Sequence, residues 1–222
     1  MRTLILLLLC FTFGVRTEAQ TYEIPADSNM WAKACKAYDN LSKYIVTGQL
    51  SNSSIEEHLP NLVKMEEVDS DGKFVPLGVV GARRLIFAMI IKETVADITV
   101  TGDYDERGLI QIAPVNLKDH YRRNPKYKTY SVNDLAKPSN ITASLDVMNS
   151  LIGYGPYKIT STERLLRAWN GGPDGWKEFG TKYEDPEHHE RELVRTWEYY
   201  KEVLSYKRLV EYLEEEGIAH LL

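Results

Sequence analysis

The chain has 222 residues, 43% hydrophobic and 27% charged, with a formal net charge of −5. That length suffices for one domain with its own core. The acidic balance excludes long-range steering toward nucleic acid or an anionic membrane, and a count of two cysteines excludes a disulfide-framework fold.

Residues 1–19 read as a secretory signal: Arg2, an apolar run over residues 4–13, then Thr17-Glu18-Ala19 with a small residue at the expected cut. The run is too short to span a bilayer, so stable membrane insertion is not expected and the mature protein is expected to be secreted or periplasmic. A lipoprotein signal ending at Cys10 is the alternative, opposed by the bulky Leu9. Removing Arg2, Arg16 and Glu18 with the signal takes the charge from −5 to −6. Only Cys35 then remains, expected as a buried helix residue without a disulfide.

Residues 20–75 are expected as an N-terminal helical extension and residues 76–222 as the main domain. Within the first, Trp31, Ala34, Cys35, Tyr38, Leu41 and Ile45 recur at helical spacing over residues 29–46, before Gly48. A second helix over 54–65 is interrupted by Pro60. Asp69-Ser70-Asp71-Gly72 reads as a turn; it resembles half a calcium loop, but Gly78 stands where the bidentate Glu belongs. A strongly apolar helix is expected over 79–95, and further helices over 140–152, 161–169 and 186–216. Gly153-Tyr154-Gly155-Pro156 separates the first two of these. Strand signals are weak, and the one expected hairpin pairs residues 98–101 with 108–112. The fold class expected is mainly α. Trp197, Tyr200, Leu204, Leu209 and Leu213 form an apolar stripe on the last helix, read as core.

Three stretches carry chemistry. Glu93 closes the apolar helix, where partial desolvation raises a carboxyl pKa and keeps a proton available near neutrality. The bland alternative is a solvated helix-end glutamate beside Lys92. Gly108-Leu109-Ile110-Gln111 offers a tight turn, or close approach of a sugar ring, and an amide for an N-acetyl group. Ala168-Trp169-Asn170-Gly171-Gly172-Pro173 offers an aromatic face and an amide able to bond the acetamido group or Glu93, and it is also good helix-stopping chemistry. His188-His189-Glu190 lacks a complete ligand set, and no metal is expected. Asn40, Asn52 and Asn140 begin glycosylation triplets, which matter only in a eukaryotic source.

In order and spacing, Glu93-Thr94, Gly108-Leu109-Ile110-Gln111 and Ala168-Trp169-Asn170-Gly171-Gly172-Pro173 resemble the Glu-Ser, Gly-Leu-Met-Gln and Ala-Tyr-Asn-Ala/Gly-Gly-Pro motifs of the soluble lytic transglycosylase superfamily. Goose-type lysozymes share that fold. Tyr199 resembles the tyrosine near the end of the family domain, and the resemblance covers residues 76–204. It implies a lysozyme-like fold with a short hairpin beside the groove, and cleavage of the β-1,4 bond of peptidoglycan glycan strands without a cofactor. Glu93 would be the catalytic acid and base; Thr94, Gly108, Leu109, Ile110, Gln111, Trp169, Asn170 and Tyr199 would contribute the substrate site. Thr94 stands for the commoner Ser, Ile110 for Met and Trp169 for Tyr, the last able to alter which sugar fits. Asp97, Asp103, Asp105 and Glu106 are candidates to position a water, the route to a goose-type hydrolase. The rival from another class is a catalytically silent glycan-binding protein on the same fold.

Overall fold

In the computed structural model of the chain, the described residues are 27–68, 72–124, 130–153, 159–172 and 186–217. The expected signal, the Asp69-Ser70-Asp71 part of the turn, Tyr154-Gly155-Pro156 and Pro173 lie outside them, as do the side chains of His188 and His189. The architecture is mainly α, with one short antiparallel hairpin.

α1 (Ser28–Val46) starts where the Asp27 carboxylate accepts the Asn29 N–H at 2.8 Å, a cap for one of the free first-turn donors. It buries Ala34, Ala37, Tyr38 and Leu41. Cys35 is only half-buried, because it lies beside that stripe and not in it. α2 (Asn52–His58) and α3 (Pro60–Val63) divide at Pro60, which takes the first-turn position that needs no N–H. β1 (Glu66–Val68) pairs with β2 (Phe74–Pro76) in the register Glu66 to Pro76 and Val68 to Phe74.

α4 (Gly78–Glu93) runs through the centre: Leu85, Ile86, Phe87, Ala88, Met89, Ile90 and Ile91 are buried in succession, so every face of its second half meets protein. A helix apolar all round belongs inside. α1, α2 and α3 pack on it along with α8 (Pro186–Glu215). Around these stand α5 (Pro114–Arg123), two 3-10 turns at Val132–Ala136 and Pro138–Asn140, α6 (Ala143–Gly153) and α7 (Thr162–Gly171).

α4 and α8 run antiparallel. Arg83 Nη2 meets Glu214 at 3.0 Å, Arg84 Nε meets the same carboxylate at 2.8 Å, and Arg84 also pairs with Glu211. Near the other end Lys92 Nζ meets Glu202 at 2.6 Å. Such half-buried pairs contribute only about 1 kcal/mol each, but four of them in step fix the register of the two helices.

Three sequence expectations change. Residues 98–101 and 108–112 do not form the hairpin; there only Arg107 and Ile112 make an isolated bridge. The real hairpin adjoins the start of α4, about 22 Å along that helix from Glu93. The stripe that α8 turns inward is Tyr199, Val203, Tyr206, Leu209, Val210 and Leu213, whereas Trp197 is 39% exposed. Finally, the expected boundary at residue 75 falls inside β2, and α1 to α3 share one core with the rest. His58 Nδ1 meets Asp146 at 2.6 Å, and Asn61 N–H donates to Asn149 at 2.7 Å, tying α2 and α3 to α6. No helix among the described residues is long and apolar enough to cross a membrane.

Candidate active site

Glu93 is the last residue of α4, and the chain leaves it through a strained turn: Val95 and Ala96 have φ of 54° and 57°. A β-branched residue in the left-handed region is a genuine outlier, the kind of strain that surrounding contacts must hold. Asp105 and Gln111 also have positive φ, so every described non-glycine residue of this kind falls between Glu93 and the end of the Gly-Leu-Ile-Gln turn.

Thr94 links the two motifs. Its hydroxyl donates to the Leu109 carbonyl at 2.9 Å, and its N–H to the Ile90 carbonyl at 3.1 Å, so one residue caps α4 and pins the turn. A hydroxyl is what the position needs. Arg107 and Ile112 exchange two backbone hydrogen bonds around the turn, at 3.2 and 2.8 Å. Gly108 sits at φ 81°, and a side chain there would collide with the Ser144 hydroxyl of α6. The glycine answers a close approach by α6, not by a sugar. Leu109 and Ile110 are fully buried. Thr94, Leu109 and Ile110, expected at the substrate, therefore support the site from behind, and their side chains offer a ligand no surface.

Gln111 is half-buried and holds the loop: its Nε2 donates to Val100 O at 3.3 Å and to Gly108 O at 3.2 Å. Trp169, near the end of α7, donates from Nε1 to the Ile110 carbonyl at 3.2 Å, bringing the third motif against the second. Gly172 ends that helix at φ 76°, so the helix-stopping role of the motif is real. The Asn170 carbonyl accepts from Arg195 Nη2 at 3.1 Å, while its side-chain Oδ1 is buried with no partner among the described residues. A buried acceptor without a donor is uncommon.

The group bonded to Glu93 is Tyr199 of α8, whose hydroxyl donates to Oε1; Asn170 is not. Burial raises the Glu93 pKa from 4.5 to about 7. The Tyr199 hydrogen bond and Lys92 pull it down, while Glu106 and Glu202 push it up. Among the described residues Glu93 forms no ion pair of its own. Lys92 spends its ammonium on Glu202. Burial and the adjoining Glu93 hold the Tyr199 phenol well above its ordinary range, so it stays a donor. The result is a carboxyl near half-protonation at neutral pH, able to give a proton and take one back.

Among the loop acids, Asp97 is committed locally: it accepts from Thr99 N–H at 3.0 Å and from the Thr99 hydroxyl at 2.6 Å, which lowers its pKa. Glu106 differs. Its carboxylate accepts the Tyr104 N–H at 2.8 Å, lies against Gly102 on the side that Gln111 also touches, and acts on Glu93.

No family model matches the chain, and no curated protein matches it significantly. The site therefore rests on its own geometry. Sequence reasoning missed Arg195 and Glu202. For Glu202 a signal existed: it follows Tyr199 by three residues, which puts both on one face of α8, opposite the Lys92-Glu93 pair.

Proposed function

We propose that the chain is a peptidoglycan-cleaving enzyme, a lytic transglycosylase with Glu93 as single acid and base. The observation that carries this reading is the half-buried Glu93 carboxyl, raised to about 7 and held by the Tyr199 hydroxyl. A protonated carboxyl donates to the glycosidic oxygen between N-acetylmuramic acid and N-acetylglucosamine. The substrate's own acetamido group stabilises C1, the route open to glycosidases that lack a second carboxylate nucleophile. Glu93, now ionised and steadied by Tyr199, takes the proton of the C6 hydroxyl, which closes a 1,6-anhydro ring. The scheme uses no metal and no cofactor, and cleavage at the glycan places the protein's work outside the cell membrane.

The hydrolytic alternative, a goose-type lysozyme, is favoured by one observation: Glu106 is the loop carboxylate whose charge reaches Glu93, and so the group able to hold a water there. A catalytically silent binder on this fold would have no use for a raised acid.

Digestion of purified peptidoglycan by the protein and by Glu93→Gln, with the muropeptides weighed by mass spectrometry, tests the reading. Products lacking one water, released roughly 10²–10⁴-fold more slowly by Glu93→Gln, are expected. Ordinary reducing ends that vanish in Glu106→Gln would establish the hydrolase. No release by either protein would overturn both, and leave the silent binder.

A further inference from the structure

α1 touches the site at one place, the strained turn that follows Glu93. Asn40 Nδ2 donates to the Val95 carbonyl at 2.9 Å, and its Oδ1 receives Lys43 Nζ at 2.8 Å. One turn further along the helix, the Tyr44 hydroxyl lies near the Ile98 backbone. Lys36 and Lys43, also from α1, act on Asp97 between those two points. The turn closes on itself only through Asp97 N–H to the Thr94 carbonyl at 2.9 Å. A left-handed Val95 followed by a left-handed Ala96 is not a conformation that these two residues adopt unaided.

From this we infer that Asn40 is a positioning residue for Glu93: by holding the Val95 carbonyl, it keeps the left-handed turn that stops α4 at Glu93 and keeps that carboxyl inside. The N-terminal helix is then part of the site's machinery. The charged and titratable groups around Glu93 come from its own helix (Lys92), from α8 (Tyr199 and Glu202) and from the loop (Glu106). α1 contributes none of them. Replacing Asn40 by Ala removes no charge facing Glu93 but releases the Lys43 ammonium, and the Val95→Gly rescue, in which Lys43 stays released, separates a moved carboxyl from a moved cation.

The kinetic half of the test rests on Glu93 being the catalytic acid; the titration half does not. The Glu93 carboxyl is titrated by carbon NMR in the whole protein and in Asn40→Ala, Val95→Gly and the double variant. Asn40→Ala is expected to move the midpoint from about 7 toward the ordinary glutamate value as the turn relaxes and water reaches the carboxyl. Glycine adopts the left-handed region without support, so the double variant is expected to return toward 7. On peptidoglycan, Asn40→Ala lowers kcat roughly 10–100-fold with KM unchanged, and the double variant recovers it. An unchanged midpoint in Asn40→Ala, or equal loss in the double variant, overturns the inference. Should Asn40→Ala fail to fold, Asn40→Leu keeps the side-chain volume without the amide, and an unmoved Glu93 there overturns it too. A wild-type protein that cleaves nothing would sink the enzyme reading alone, because the titration still decides what Asn40 does.

Discussion

The two ends of the α4–α8 pair treat charge in opposite ways. At the start of α4, Arg83 and Arg84 are matched by Glu211 and Glu214, so half-buried charges are neutralised where they lie. At the far end Glu93 has a phenol for a partner and no cation, because Lys92 is already held by Glu202. The same helix pair thus holds matched charges at both ends and, at one of them, an acid left out of the pairing and displaced from its ordinary pKa. Charge that is paired stabilises without reacting; charge that is withheld from pairing is left able to move a proton.

The largest test of that contrast is Glu93→Gln as a stability variant. Folding raises the Glu93 pKa from 4.5 to about 7, so the folded state holds the proton more tightly than the unfolded chain does. The cost of ionising it is absent below about pH 4.5, grows as pH rises, and is complete above about 7. Glu93→Gln should therefore gain about 2–3 kcal/mol over wild type at pH 8 and nothing at pH 4, by urea denaturation. Equal stability at pH 8 would mean that Glu93 is not strained by burial. Next in size, Arg84→Met should lose about 1–2 kcal/mol at pH 8, because Glu211 keeps its charge without a guanidinium and Glu214 is left with Arg83 alone. No loss would show the paired end to be ornament. Tyr199→Phe removes a donor to the ionised carboxyl worth about 1 kcal/mol, so the alkaline limb of the activity profile should move up. Lys92→Met should move it the same way by less, because that ammonium acts at longer range. A downward shift in either would contradict the account of what holds Glu93 near 7.

The sequence made α1, α4 and α8 visible through helical spacing or an unbroken apolar run, and it marked Glu93, Gln111, Trp169 and Asn170. It hid what depends on contacts between distant residues. Glu66-Glu67-Val68 carries no strand signal of its own and becomes a strand only by pairing with Phe74-Val75-Pro76. Ile98 and its neighbours have strand-like composition, but Gln111 takes the Val100 carbonyl and Asp97 caps Thr99, so the segment is used up in turns. α5 went unseen although Pro114 at its first position and His120, Arg122 and Arg123 in its last turn are proper helix punctuation; its apolar face is too thin to show. That Thr94, Leu109 and Ile110 face inward was not readable either, since a motif gives which residues occur together and not which way they point. Asn40 looked like a glycosylation acceptor, and nothing near it in the chain announces Val95 as its partner.

The bond between Glu93 and Tyr199 spans 106 residues of chain. Contacts of that separation are the slow ones in folding, since a long loop must close before anything is gained. While α8 is unmade or undocked, Glu93 lacks the Tyr199 hydroxyl that holds it. The completed site therefore exists only in a finished molecule: a chain still being synthesised, or one cut short before residue 199, has the carboxyl but not the phenol that holds it.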